Sequence, residues 1–335
     1  MITLGIETSC DETAVAIVHD GFVVGSNLIA AQSDLHARYG GVVPELAARA
    51  HVEAVNPLLD QALAEPGIRL EDVDLVTATV GPGLVGALLV GLAAAKAVAL
   101  ARYVPFVGVN HLEGHIWANF LNDGPPHPPY VCLVVSGGHT MLVHMPEEHR
   151  YELLGQTLDD AAGEAFDKVA RLLGLGFPGG PELDRLARKG NPDAVRFPRA
   201  MQTSGDFDFS MSGLKTAVLR HVKREKASGR KIDLADVAAS FQEAIVDVQV
   251  SKTLAAAGKL GVGTILLGGG VVANSRLRDR MSSEAEAAGL RVVYPPLPLC
   301  TDNAAMIACA GTSRFLRGER TSFDIAAAPG LRLGA

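Results

Sequence analysis

Two segments far apart in the chain follow one pattern, and this repetition constrains the fold more than any single motif. Leu4-Gly5-Ile6-Glu7-Thr8-Ser9-Cys10-Asp11-Glu12-Thr13-Ala14-Val15-Ala16-Ile17-Val18 runs strand, polar turn, strand. Val131-Cys132-Leu133-Val134-Val135-Ser136-Gly137-Gly138-His139-Thr140-Met141-Leu142-Val143 does the same. In each, β-branched and aliphatic residues flank a small polar turn that ends in Thr, which is a hairpin signal. Two opening hairpins predict two related α/β halves, each with a sheet and covering helices. Gly124-Pro125-Pro126-His127-Pro128-Pro129 is the linker expected between them. A length of 335 residues suits two domains or one large α/β unit.

The first half continues with a helix near Pro44 to Ala64, a strand from Leu75 to Val80 and an apolar helix over Gly83 to Ala101. The second carries a helix around Asp159 to Leu173, a Gly/Pro loop over 176–181 and a helix near Ala235 to Ala257. A buried strand, Thr264 to Leu267, then runs through Gly268-Gly269-Gly270 into a helix from about Asn274.

Hydrophobic content of 48% with 36 glycines fits a soluble enzyme with tight turns. Met1 leads straight into a strand-like run, so no signal peptide is expected. The four cysteines, Cys10, Cys132, Cys300 and Cys309, form no C-x-x-C pair. A reducing cytoplasm is their natural setting. The stretch from Gly83 to Ala101 is apolar except for Lys96, but its small residues favour a packed helical interface over a membrane span. A net charge of −7 argues against broad nucleic-acid binding. Against that background, Lys215, Arg220, Lys223, Arg224, Lys226, Arg230 and Lys231 are opposed only by Glu225. They form either a solvated helix face or a local phosphate-contacting patch.

Three groups of residues have the composition for chemistry. His111 and His115 follow Asn110, a good N-cap, so both fall on one face at the start of a helix and can share a divalent metal. A zinc-protease helix places its general-base Glu directly after the first His. Leu112 stands there, and Glu113 lies about 100° further round the helix. Asp302 and Asn303 open an apolar helix, where Asp302 either caps or serves as a third ligand in an open site. Ser136-Gly137-Gly138 and the turn from Leu267 to Asn274 present backbone N–H groups that suit phosphate. Asp11 and Glu12, at the tip of the first hairpin, are either solvated turn residues or groups able to accept a proton. Asp167 beside Lys168 reads by itself as a surface ion pair.

Together these residues strongly resemble the bacterial tRNA threonylcarbamoyl transferase family (TsaD), formerly described as glycoproteases. The resemblance runs end to end and rests on Gly5 to Thr13, His111 to His115, Val134 to Thr140, Phe209-Ser210-Met211-Ser212-Gly213-Leu214-Lys215-Thr216 and Gly268 to Asn274. It implies an α/β fold of duplicated ribonuclease-H-like lobes of the actin/Hsp70/sugar-kinase type, with the ligand between them. The lobes implied are 1–125 with about 303–335, and 126–302. The implied reaction moves a threonylcarbamoyl group from threonylcarbamoyl-AMP to the exocyclic amine of adenosine 37 in tRNAs reading codons that begin with A. It forms t6A and releases AMP.

By resemblance, His111, His115 and Asp302 hold one divalent metal ion, iron in the family, with zinc or manganese compatible with the same donors. Val134, Val135, Ser136, Gly137, Gly138, Asp167, Gly180, Asp184 and Asn274 correspond to contacts to the adenylate. Met211 stands where many relatives have Phe, and Val134 where archaeal relatives have a tyrosine near the metal. Asp11 or Glu12 is the candidate for handling the amine proton. The implied partners are the tRNA anticodon loop, a paralogous subunit (TsaB) on the small-residue helix, an ATPase subunit (TsaE) and a separate synthase that makes the adenylate. A metallopeptidase, a sugar kinase and a chaperone-like ATPase are the competing readings. The misplaced Glu opposes the first, and the histidine pair has no purpose in the others.

Overall fold

A computed structural model describes residues 1–121 and 126–334 and divides into two compact units, Met1–Pro126 with Pro295–Ala335, and His127–Tyr294. Gly124 and Pro125 of the expected linker lie outside the described residues.

The first unit contains β1 (Ile2–Glu7), β2 (Glu12–His19), β3 (Val23–Ala31), α1 (Ser33–Ala37), α2 (Pro44–Ala64), β4 (Leu75–Gly81), α3 (Val85–Arg102), β5 (Phe106–Asn110) and α4 (His111–Trp117). The second contains β6 (Tyr130–Val135), β7 (Thr140–Met145), β8 (Glu152–Gln156), α5 (Ala162–Leu173), α6 (Gly179–Ala187), α7 (Ser212–Ala227), α8 (Leu234–Leu260), β9 (Thr264–Gly268), α9 (Ser275–Ala287) and β10 (Arg291–Val293). Helix α10 (Ala304–Leu316) returns to the first unit.

The two hairpins do open matching sheets. The first is ordered β3-β2-β1-β4-β5 and the second β8-β7-β6-β9-β10. In both, the opening hairpin and its neighbour are antiparallel, and the last two strands add in parallel. The parallel pairs β4–β5 and β9–β10 are joined through α3 and α9, the helical crossover such pairs require. This is the duplicated actin/Hsp70/sugar-kinase architecture.

Strand alternation sorts β1 between two helical layers. Leu4 and Ile6 join Val15, Ile17, Val55, Leu58, Leu92 and Ala95 in the core shared with α2 and α3. Thr3 and Gly5 face α10 instead. Thr3 and Thr312 share a buried hydroxyl–hydroxyl bond of 2.7 Å. A Cβ at Gly5 would collide with the Ala304 carbonyl oxygen, and one at Gly311 with the Thr77 side chain. Glycine at these two positions lets the helix lie directly on the sheet.

Helix α3 is long and apolar enough to cross a membrane by length and composition alone. Its inner face, including Ala87, Gly91, Leu92, Ala95 and Ala99, is packed within the unit. Val85, Leu89 and Leu100 remain exposed on its outer face.

Three boundaries differ from the sequence expectation. Helix α5 starts at Ala162 rather than Asp159, because the Asp159 carboxylate accepts the N–H groups of Met211 (2.7 Å) and Ser212 (3.1 Å) that begin α7. The Gly/Pro loop ends early, since α6 starts at Gly179. Residues 295–302, assigned by resemblance to the second lobe, belong with the first. Asn303 explains this: its Nδ2 donates to the carbonyls of Leu299 (3.2 Å) and Thr301 (2.8 Å), tying the turn to α10.

Gly5→Ala should lower stability by about 1–3 kcal/mol through overpacking between β1 and α10. Gly258→Ala in α8, where a Cβ meets nothing within 4 Å, should raise it by about 0.5–1 kcal/mol. Urea unfolding midpoints check both. An unchanged midpoint for Gly5→Ala would contradict the packing described.

Candidate metal centre and glycine turns

Strand β5 runs directly into α4, and Asn110 makes the junction. Its Oδ1 accepts the N–H groups of Leu112 (2.9 Å) and Glu113 (3.4 Å), two donors that the first helical turn cannot satisfy internally. His111 therefore opens the helix and His115 lies one turn on, their rings 4.7 Å apart at 74°.

Asp302 arrives on the turn before α10. The capping residue there is Asn303, whose Oδ1 accepts the Met306 N–H at 3.0 Å. That leaves the Asp302 carboxylate facing the imidazoles: its Oδ1 lies 3.5 Å from His111 Nε2 and 3.2 Å from His115 Nε2. One ligand atom from each of the three residues falls within 4.8 Å of the others.

Glu7, which the sequence did not single out, completes the arrangement. This fully buried acid at the end of β1 places Oε2 3.0 Å from His111 Nδ1. It is itself held by the Thr79 hydroxyl and the Ser9 N–H. A carboxylate at Nδ1 keeps the proton there and leaves Nε2 as the ligand atom, a common support for metal-binding histidines. Burial would raise the Glu7 pKa, but His111 and Thr79 hold it below its usual range. An acid closing a mostly apolar strand was the signal available in the sequence.

His115 has the opposite surroundings. It is wholly buried, and among the described residues neither ring nitrogen makes a hydrogen bond, Nε2 having only the Asp302 carboxylate facing it at 3.2 Å. Buried imidazoles are seldom left so. Two imidazoles and one carboxylate at this spacing fit a divalent cation with open coordination positions.

Burial would depress the His111 pKa, but Asp302 and Glu7 outweigh it and push it up to about 9. Glu113 is not part of the cluster. It is buried on the other side of the helix, where its Oε2 accepts from Arg314 Nη1 of α10 at 3.2 Å. The acid behind the protease resemblance thus pins α4 to α10.

Asp11 and Glu12 lie at the β1–β2 turn as expected. The Asp11 carbonyl accepts the Gln32 N–H at 3.0 Å. Glu12 begins β2, and burial, then Asp302 and Asp11, raise its carboxyl well above the usual range.

The second unit brings its two glycine turns together at the ends of adjacent strands. Val134 pairs with Gly268 across β6 and β9, and a Cβ at Gly269 would collide with the Val135 carbonyl. The Ser136 turn closes through its N–H to His139 O (2.8 Å), and Gly163 N–H at the start of α5 reaches Ser136 O (3.2 Å). Gly137 and Gly138 are exposed, with open space where side chains would stand. Val134 and Val135 are wholly buried, so they support this turn rather than present side chains to a ligand.

Asp167 Oδ1 accepts the Gly179 N–H at 2.7 Å, which sets the start of α6 and leaves Gly180 beside open space. Asp184 accepts from Ser275 (2.8 Å) and Arg188 (2.8 Å). Asn274 caps α9 through Leu277 N–H (3.0 Å) and donates to Gln242 Oε1 (2.7 Å).

The repeated sheet order places the chain among two-lobed α/β proteins, and solved structures bear this out. HypF from T. kodakarensis superposes with a TM-score of 0.63 at 16% identity, covering 95% of this chain, which spans about half (48%) of that protein. Component A of (R)-2-hydroxyglutaryl-CoA dehydratase from Acidaminococcus fermentans gives 0.56 at 16% identity, covering 94% of this chain and 98% of its own. At such identities the likeness is one of fold.

The sequence carries the assignment further. A family model for tRNA N6-adenosine threonylcarbamoyltransferase (TsaD) matches residues 23–309. The Symbiobacterium thermophilum protein of that name is 56% identical over 333 residues, 99% of this chain and 97% of that one. A Clostridium botulinum (strain 657) counterpart is 51% identical over 331 residues, with coverage of 99% and 97%. The chain belongs to the tRNA N6-adenosine threonylcarbamoyltransferase family and is an enzyme of the transferase class.

Because His111 is protonated up to about pH 9 without a cation, metal must displace that proton. Metal affinity should rise roughly tenfold per pH unit below that value and level off above it. Metal titrations across the range check this, and a flat affinity between about pH 6 and 8 would contradict it.

Proposed function

We propose that this enzyme transfers the threonylcarbamoyl group of threonylcarbamoyl-AMP to the exocyclic amine of adenosine 37 in tRNAs reading codons that begin with A, releasing AMP. Family membership over essentially the whole chain supports the reaction class. The observation that carries the reading further is buried His115, whose ring nitrogens make no hydrogen bond among the described residues although Asp302 and His111 face it.

The exocyclic amine of adenine is a weak nucleophile, so the carbonyl must arrive activated, and a carbamoyl–phosphate anhydride supplies AMP as leaving group. A divalent cation held by His111, His115 and Asp302, with iron proposed from the family resemblance, would supply Lewis-acid stabilisation of charge developing on the acyl-phosphate oxygens. Gly137, Gly138 and Gly180 offer backbone N–H groups and open space to the adenylate, and Ser136 shapes the first of these turns through its N–H to His139 O. Asp167 and Asn274 fix the helix starts beside those turns, and Asp184 braces Ser275 next to Asn274. Val134 and Val135 anchor the strand that carries the first turn. Asp11 and Glu12 are assigned the amine proton; the raised pKa of Glu12 makes its carboxylate the stronger acceptor once ionised.

The target base must leave its stack, which is easier in an anticodon loop than in a duplex. Helix α7 and the turn after it supply phosphate contacts in this reading. Glu225 engages Arg224 (3.1 Å) and Arg230 (2.5 Å), while Lys223, Lys226 and Lys231 are exposed and carry no ion pair among the described residues. The exposed outer face of α3, with Val52 of α2, suits the paralogous subunit TsaB. The ATPase subunit TsaE and a separate adenylate-forming synthase complete the system, and the cytoplasm is the proposed compartment. The ion pair between Glu113 and Arg314 weighs against peptidase chemistry, which would need that acid at the metal.

His111→Ala and Asp302→Ala should each lower bound metal and abolish tRNA modification while the chain stays folded. Nucleoside mass analysis after incubation with threonylcarbamoyl-AMP, unmodified tRNA and the partner subunits gives the readout. Full transfer by the metal-free double variant would overturn the assignment.

A further inference from the structure

The described residues after α10 form neither helix nor strand, yet they are tied to the first unit every few positions. Thr321 donates its N–H to Phe106 O (2.9 Å), and its hydroxyl accepts from Gly108 N (2.8 Å), so it occupies the outer edge of β5. Phe323 stacks on Phe106 with ring centres 6.1 Å apart. Lys96 Nζ donates to Ile325 O (2.5 Å), Ala328 N–H to Val80 O (2.7 Å) and Gly83 N–H to Pro329 O (3.2 Å). A Cβ at Gly81 would collide with Ala328 O, so the segment lies flush against the end of β4. Ile325, Ala327 and Leu331 pack on the core beneath.

This strap ends on the residue that starts the metal-bearing helix. Asn110 Nδ2 donates to Arg332 O at 3.0 Å, while Oδ1 of the same amide caps α4. Serine or aspartate would cap about as well as asparagine. Only asparagine among them has a separate donor and acceptor on one planar group, so it can hold helix and strap together. The amide is 5% exposed, which shields both bonds from water. His111 is the next residue, so the amide bears on the start of the helix that carries both imidazoles, and metal sites lose affinity when supporting groups leave ligands loosely aimed.

We infer that Asn110 and the Arg332 carbonyl form a clasp that aims the metal-binding helix, making Asn110 a positioning residue for the His111–His115–Asp302 centre. The inference rests on that centre holding a metal, so the test separates the two. Co2+ alone is titrated into the full chain, Asn110→Ser, a chain ending at Leu331, the combination of both changes, and His115→Ala, reading affinity and visible absorption.

Asn110→Ser and the shortened chain should each bind Co2+ about tenfold more weakly with an altered spectrum. The combined variant should be no weaker than Asn110→Ser, because both changes break one bond. Binding by the parent no tighter than by His115→Ala would remove the metal reading itself. Tight parent binding with Asn110→Ser equal in affinity and spectrum would overturn the clasp, even if unfolding shifts, since that is an ordinary cap. If the shortened chain does not fold, Asn110→Ser decides alone.

Discussion

The close seating of α10 on the first sheet is the contact on which the candidate centre depends. Gly5 and Gly311 remove side chains where strand and helix meet, and the Thr3–Thr312 bond satisfies the two hydroxyls buried there. The seating fixes the turn before α10, and Asn303 ties that turn so that Asp302 faces α4. Arg314, further along α10, returns to Glu113 on α4. One helix thus supplies a candidate ligand at one end and a brace for the other two nearer its far end.

Sheet order is repeated in the second unit, but its polar groups are spent differently. Parallel strands β6 and β9 end side by side in glycine turns, because Gly269 tolerates the Val135 carbonyl against its Cα. Gly163 at the start of α5 allows the Ser136 turn to lie on that helix. The unit thereby collects exposed backbone at a strand–helix edge, the usual place for anions in such folds. The first unit instead collects imidazole and carboxylate. Duplication supplied one framework, and the turn residues set what each copy can bind.

Much of this was legible in the sequence. The hairpins, α2, the parallel strands and the histidine pair all carry local signals of period, capping or spacing. Asp302 was legible as either a cap or a third ligand, and the choice of Asn303 as the cap depends on carbonyls at Leu299 and Thr301. Glu7 looked like part of a polar turn because its partners, His111 and Thr79, are distant in sequence. The destination of Glu113 at Arg314 was hidden for the same reason. The strap after α10 has no periodicity to read, since its order comes from pairing with β4 and β5 rather than from its own pattern. Asp159 reads as a helix residue in the sequence because its bond to the α7 start spans a long loop.

The whole arrangement turns on one open centre of two imidazoles and one carboxylate, from His111, His115 and Asp302. X-ray absorption at the edge of the bound metal tests it most directly. The expected spectrum has a shell of nitrogen and oxygen at about 2.0–2.2 Å, with the outer-shell scattering of two imidazoles that falls to one in His115→Ala. A sulfur shell at about 2.3 Å, or an imidazole count unchanged in that variant, would contradict it.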